Sequence, residues 1–130
     1  MHERAVRLST LTDLDRYNSP PTAEKPELFS IRLAKLYLKS SADLFDKLRT
    51  GQAAADSEAV RFAAHTMKSG TAMIGAAALA ASLAELEQAA RNGSLQNAGA
   101  LVDSIEREYM RVRGELMEYV QSVEGRGSAG

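Results

Sequence analysis

No cysteine occurs among the 130 residues, so disulfides, thiol catalysis and Cys-ligated zinc are excluded. No apolar run approaches the ~20 residues that a bilayer-spanning helix requires. The opening stretch 1–10 lacks the apolar segment of a secretory signal. Charge of one sign is also missing. Sixteen basic and 17 acidic residues leave a formal net charge of −1, too little to gather nucleic acid or an anionic membrane surface. Aromatic residues make up only 5%, and β-branched runs are absent. Proline is confined to Pro20, Pro21 and Pro26, so everything beyond Pro26 is free to be helical. These absences predict one soluble, cytoplasmic, all-α domain without contact to nucleic acid or membrane.

The 45% of apolar residues suffices for one packed core, and their spacing divides the chain. Leu8, Leu11 and Leu14 predict a short first helix ending near Tyr17, broken by Asn18-Ser19-Pro20-Pro21. A second helix is expected from about Pro26 to Arg49, stopped by Thr50-Gly51. Asp56 or Ser57 offers a cap for a third, which runs to about Thr71 or Ile74, with Gly75 marking a turn. The fourth spans about Ala76–Arg91 and stops at Asn92-Gly93. Ser94 offers a cap for a fifth that reaches Val123. Along that last helix Ala98, Val102, Ile105, Tyr109, Val112, Leu116, Tyr119 and Val123 alternate steps of four and three, the mark of a seam packed along antiparallel neighbours. The expected architecture is an antiparallel up-down-up-down four-helix bundle over 26–123. A short N-terminal helix and a proline-rich connection over 1–25 precede it, and a disordered tail over 124–130 follows.

One histidine stands out on the third helix. At about 100° per residue, Val60, Ala63, Ala64, Met67, Thr71 and Ile74 cluster on one side, and His65 lies roughly 150° from the middle of that cluster. It should face water, with Lys68 one turn on and Glu58, Arg61, Ser69 and Ala72 on the same face. Metal-binding histidines of bundles sit on inward positions beside carboxylates, but no Glu-x-x-His pair exists, and His2 near the chain start is a poor partner. An outward histidine is usually an ordinary surface residue. Beside a lysine and small neighbours, however, it suits phosphoryl acceptance. Neutral imidazole is nucleophilic near pH 7, and phosphoryl transfer asks mainly for charge on the equatorial oxygens and in-line access.

The stretch Ala64-His65-Thr66-Met67-Lys68-Ser69-Gly70-Thr71-Ala72-Met73-Ile74-Gly75-Ala76, continued by Leu79, Leu83, Leu86 and Glu87, resembles the signature of histidine-phosphotransfer (HPt) domains of two-component phosphorelays. That pattern is His-x-x-Lys-Gly/Ser-small, a glycine ten residues after the histidine, then leucines and a Leu-Glu/Gln pair. Upstream, Leu36-Tyr37-Leu38-Lys39-Ser40-Ser41 and Leu44-x-x-x-Leu48 resemble the family's second helix, so the likeness covers roughly residues 28–120. It departs where Ser69, rather than glycine, follows the lysine, and where Phe62 is large so near the histidine.

The resemblance implies that His65 is the phosphoacceptor, attacking through Nε2, that Lys68 stabilises the phosphoryl oxygens, and that Glu87 takes the Nδ1 proton. Gly75 would permit close approach of neighbouring chain segments, and Arg91 matches a position that often carries a basic residue. The alternative for Arg91 is a plain i,i+4 salt bridge to Glu87. Ser69, Ala72, Gly75, Arg91 and Phe62 are therefore expected near the phosphoryl group or the docked receiver. The family implies no cofactor, no metal and no ATP site. Mg²⁺ and the phosphorylatable aspartate belong to receiver domains of a hybrid sensor kinase or a response regulator. A monomer is expected, free-standing or as the C-terminal domain of a hybrid sensor kinase. A helical interaction module without chemistry, and the phosphotransfer domain of a chemotaxis-type kinase, are the alternatives.

The wheel also predicts a docking patch. Phe62 lies about 60° from His65 on the outward side, and Ile31, Leu38 and Phe45, spaced by seven, edge the broad apolar arc of the second helix. Phe62 with part of that edge would receive the partner's helix; otherwise Ile31, Leu38 and Phe45 pack on the first or fifth helix.

Overall fold

A computed structural model describes residues 4–18, 20–22 and 27–128, and the side chains among them up to 125. His2, Pro26 and the final two residues lie outside the described set. The described chain is helical throughout, with no strand. Helix α1 covers Leu8–Leu14 and runs into a 3₁₀ turn, Asp15–Tyr17. Then come α2 (Phe29–Ala53), α3 (Ser57–Met73), α4 (Ala77–Arg91), a 3₁₀ turn at Leu95–Asn97 and α5 (Gly99–Ser128). Helix α3 packs between α2 and α4, and α5 closes the ring against both α2 and α4. The short connections make sequential helices antiparallel, as an up-down-up-down bundle requires.

Burial follows the apolar periods. On α3, Val60, Ala63, Ala64, Met67 and Thr71 are buried; on α4, Leu79, Leu83, Leu86 and Ala90. The α5 seam from Ala98 to Tyr119 is buried at every expected position, with Val123 packed on its margin. Where the core meets polar atoms, they are paired. Thr71 donates its hydroxyl to the Met67 carbonyl and accepts from Tyr37, a bond of 2.8 Å from α2 to α3. Burial pushes the Tyr37 phenol pKa up. Ser41 and Tyr109 hydroxyls meet at 2.7 Å. Ser30 donates to Asp15 and meets Tyr119, so the turn after α1, α2 and α5 share one buried knot.

Three helix ends close by the same pair of bonds. The residue two past the cap donates back to the third-last helical carbonyl, and the residue before it to the second-last. The pairs are Asp56 to Gly51 with Ala55 to Gln52, Ala76 to Thr71 with Gly75 to Ala72, and Ser94 to Ala89 with Gly93 to Ala90. The middle residue takes positive φ each time: 54° at Ala55, 86° at Gly75 and 70° at Gly93. The expected stop at Thr50-Gly51 is thus displaced to Ala54-Ala55. Gly51 lies inside α2, where an added Cβ would come 3.0 Å from Val60 Cγ2. Its role is close packing of α2 on α3, which outweighs the ~1 kcal/mol helix penalty of glycine.

Other boundaries also move. Asp56, of the two candidates, caps α3, accepting from the Ala59 amide at 3.1 Å. Ser94 makes no side-chain cap bond; instead Leu95 turns into the core through the 3₁₀ turn, and α5 begins at Gly99. The tail expected to be disordered from 124 onward is helical through Ser128. Helix propagation adds one bond per residue once a helix exists, and Lys35 on α2 forms ion pairs with Glu27 and with Glu124, fixing α5 beyond Val123.

The N-terminal segment belongs to the packed body. Val6 and Leu11 are fully buried. The amides of Ala5 and Val6 both donate to the Glu115 carboxylate of α5, each at 2.9 Å. The Arg7 amide donates to the Gly75 carbonyl at 2.9 Å.

Candidate functional site

Helices α3 and α4 are joined by the tight turn at Gly75, so their outward edges face each other along their length. On α3 the heptad-like apolar stripe turns Ala64 and Met67 inward and leaves His65 outward, its side chain 57% exposed. On α4 Glu87 follows the buried Leu86 at the margin of the seam and is carried inward toward α3, its side chain only 6% exposed.

A carboxylate so buried needs partners, and it has three. His65 Nδ1 lies 3.0 Å from Glu87 Oε2, Lys68 Nζ donates to Oε1 at 2.8 Å, and Arg91 Nη2 donates to Oε2 at 2.9 Å. The Lys68 ammonium holds the Glu87 pKa below its ordinary value. Burial acts the other way, and the His65 bond adds to the lowering. Glu87 is therefore ionised at neutral pH and only accepts hydrogen bonds. The proton of the neutral imidazole must sit on Nδ1, and the lone pair on Nε2, at the opposite, outward edge of the ring. The arrangement thus presents a nucleophilic nitrogen to solvent, with Lys68 one turn along α3 and Arg91 on α4 both bonded to the carboxylate that holds the ring. Arg61 adds a further positive charge. It is paired with Glu58 at 3.1 Å, and its pKa is raised, by Glu58 first and by Glu87 at longer range.

Of the sequence-predicted residues, the structure brings His65, Lys68, Glu87 and Arg91 together. The i,i+4 pair between Arg91 and Glu87 is present. Ser69 and Ala72 are exposed on the outward face of α3. Phe62 is 61% exposed, one turn before His65. Gly75 does not join this group. Ten residues along a helix is about 15 Å, and the close approach it permits is to the chain's own N-terminal segment. An added Cβ would lie 2.7 Å from the Arg7 carbonyl oxygen and 2.9 Å from Thr10 Cβ. Ala72 lines the cavity beside that segment, with Arg4, Arg7 and Ala77. Gly75 thus permits the close approach of neighbouring chain segments expected of it, away from His65.

The apolar patch is also redrawn. Ile31 is 2% exposed and lies in the core; Leu38 and Phe45 are half-buried against it. Phe45 stacks on Tyr109 of α5 with ring centroids 5.2 Å apart. That edge of α2 therefore packs on the fifth helix, because α5 lies directly against α2 and claims the wider apolar arc. The exposed large apolar side chains on the first helices of the bundle are instead Leu36 on α2, and Phe62 and Met73 on α3. Leu36 was hidden in the sequence by its place in a run, Leu36-Tyr37-Leu38, where either leucine fits the core. Two hollows lie between α2 and α3. One of about 150 Å³ is lined by Tyr37, Ser40, Leu44, Thr66 and Gly70, beside His65. The other, about 400 Å³, is lined by Lys47, Thr50, Gly51, Ala59 and Phe62.

Comparison with known proteins gives a consistent result. The Hpt domain family model matches residues 32–122. Among solved structures, histidine-containing phosphotransfer protein B (HptB) from Pseudomonas aeruginosa PAO1 is similar to this chain, with 29% sequence identity and a TM-score of 0.78. The match covers 93% of this chain and 98% of that one. No curated protein sequence matches the chain. Hpt proteins act as phosphotransfer intermediates rather than as classical enzymes, with receiver domains as partners. With an outward histidine bonded to a buried carboxylate that two cations share, and with the family model matching most of its length, the chain belongs to the Hpt domain family and serves histidine phosphotransfer in phosphorelays.

Proposed function

We propose that His65 is the phosphoacceptor, taking a phosphoryl group from the phosphorylated aspartate of one receiver and passing it to another in a multistep phosphorelay. The observation that carries this reading is the bond between His65 Nδ1 and the buried Glu87 carboxylate, which leaves Nε2 as the free nucleophile. In the forward step the Nε2 lone pair forms the N–P bond while the P–O bond to the aspartate breaks, and its electron pair leaves on the carboxylate. The ring keeps its Nδ1 proton and becomes positively charged. Glu87 lies against that developing charge, and Lys68 supplies positive charge to the phosphoryl oxygens. The reverse sequence of bonds loads the next receiver.

In this reading the domain contributes no nucleotide site and no metal; the receiver brings Mg²⁺ and the phosphorylatable aspartate. Docking falls on the α2–α3 face, where Phe62, Leu36 and the two hollows between these helices offer apolar surface to a partner's helix. Ser69 on the same face is small enough for close approach. The domain's contacts are receivers rather than nucleic acid or an anionic membrane surface, a reading that the near-neutral charge of the chain supports; the domain is read as a cytoplasmic monomer.

Phosphotransfer profiling against a panel of purified, labelled receiver domains tests the proposal. Rapid, Mg²⁺-dependent movement of label from one or a few receivers to the domain, abolished in His65→Ala with unchanged helical content, is the expected result. Undiminished transfer to His65→Ala would overturn it.

A further inference from the structure

We propose that Lys68 changes partners during the relay, from Glu87 to the phosphoryl group, and that Arg91 is the positioning residue that lets it leave. This rests on the reading of His65 as phosphoacceptor. In the structure the Lys68 ammonium is committed to Glu87 Oε1 at 2.8 Å, on the Nδ1 side of the ring. A phosphoryl group bonded to Nε2 lies on the other side. Lys68 is only one turn from His65 on the same helix, and its side chain is 33% exposed, so a rotamer change suffices to carry the charge outward.

The obstacle is Glu87. A carboxylate with 6% exposed side chain that loses its counter-ion is left as an unpaired buried charge, which is strongly opposed. Arg91 removes the obstacle. It binds the other oxygen, Oε2, at 2.9 Å, from the same helix at i+4, and so does not depend on where Lys68 points. The two cations thus divide the carboxylate, one on each oxygen. Arg61, whose charge also reaches Glu87, is itself held by Glu58.

The charge count gives the direction of the exchange. Before transfer, Glu87 (−1), Lys68 (+1), Arg91 (+1) and neutral His65 sum to +1. After transfer, the ring gains +1 and the phosphoryl group brings −2, so the cluster sums to zero. The new negative charge lies outward, and the new positive charge lies on the ring against Glu87. Phosphorylation therefore weakens the hold of Glu87 on Lys68 and creates a stronger attraction on the other side. Without Arg91, Glu87 would retain Lys68, and the phosphoryl oxygens would lose their nearest cation.

The test follows Lys68 by NMR in the ¹⁵N,¹³C-labelled domain, before and after phosphorylation by phosphoramidate, a small donor that needs no receiver. Phosphohistidine formation at His65 is read first from the ³¹P resonance. The expected result is a scalar coupling from Lys68 Nζ to the Glu87 carboxyl carbon in the free domain, replaced by a coupling to phosphorus after phosphorylation. In Arg91→Gln the ammonium should stay coupled to Glu87 after phosphorylation. Receiver transfer in that variant should slow by roughly tenfold, less than the ~10²–10³ loss for a buried transition-state donor because the site is open to solvent. Arg91→Lys should restore both readouts in large part. A wild-type Lys68 that remains on Glu87 after phosphorylation, or an Arg91→Gln domain that matches wild type in both readouts, would overturn the exchange. Absence of phosphohistidine at His65 in the wild type, from phosphoramidate and receiver alike, would overturn the phosphoacceptor reading and this inference together.

Discussion

His65 and Glu87, 22 positions apart, meet across α3 and α4 with Nδ1 and Oε2 at 3.0 Å. One partner is more than half exposed and the other nearly sealed. The contact fixes a tautomer at the surface by means of a charge held below it.

Replacing Glu87 with alanine should therefore change the ring before it changes the fold. In Glu87→Ala the His65 imidazole should populate both neutral tautomers, read from long-range ¹H–¹⁵N correlations, where the parent shows Nδ1–H alone. Receiver transfer should fall roughly 10- to 100-fold, less than when the orienting carboxylate of a buried catalytic triad is lost. The pH dependence carries a sign. The folded-state pKa of Glu87 is depressed, so its contribution to stability is complete above the unfolded carboxylate value of ~4.3 and disappears as pH falls through the lower folded value. Denaturant titrations should show a shallower acid-side loss of stability in Glu87→Gln than in the parent, below about pH 4.3. Equal slopes would contradict the assigned ion pairs.

Phe62 tests the docking face. A side chain 61% exposed contributes little to the core, and Phe62→Ala should change stability by no more than about 0.5 kcal/mol. Its affinity for the cognate receiver should drop roughly fivefold or more, the signature of a hot-spot aromatic. Calorimetry of both quantities checks this. Unaltered receiver affinity with a large fall in Tm would place Phe62 in the core instead.

Glu115 is expected to matter for the fold and not for the chemistry. It receives two adjacent backbone amides, Ala5 and Val6, from a segment whose next residues reach the α3–α4 turn. Charged hydrogen bonds contribute about 1.5–3 kcal/mol each at most. Glu115→Ala should cost about 2 kcal/mol and speed amide exchange at Ala5, Val6 and Arg7 more than in α3. Phosphoryl transfer should remain close to the parent rate.

Two turns of the same kind predict opposite substitutions. Ala55 holds φ at 54° with a Cβ that this conformation penalises, so Ala55→Gly should stabilise by up to about 1 kcal/mol. Gly75 holds φ at 86°, and its Cβ would meet the Arg7 carbonyl oxygen at 2.7 Å, so Gly75→Ala should destabilise by more than about 1 kcal/mol. Urea denaturation of the pair checks both signs.

The legible parts of the chain are those where one physical rule acts alone. The α5 seam and the α3 wheel follow from periodicity, because each helix buries a single stripe. His65 and Lys68 could be placed on the outer face for the same reason, and Glu87 became visible through its spacing in the family-like motif. Other features depend on which neighbour arrives. Ile31, Leu38 and Phe45 form an apolar edge in the sequence, but only the position of α5 decides that Tyr109 covers it. Gly51 resembles a stop until Val60 is seen against it. Glu115 gives no local signal, since its partners, two backbone amides and the Arg4 side chain, lie more than a hundred residues away.

The atom that carries the phosphoryl group decides whether His65 is the phosphoacceptor. The domain, labelled with ¹⁵N-histidine, is incubated with a phosphorylated cognate receiver, and the phosphoryl bond is located by ³¹P–¹⁵N coupling and by its chemistry. One acid-labile, alkali-stable phosphate is expected on Nε2 of His65, absent from His65→Gln. Label at the parent level in His65→Gln, or phosphorus coupled to Nδ1 instead of Nε2, would contradict it.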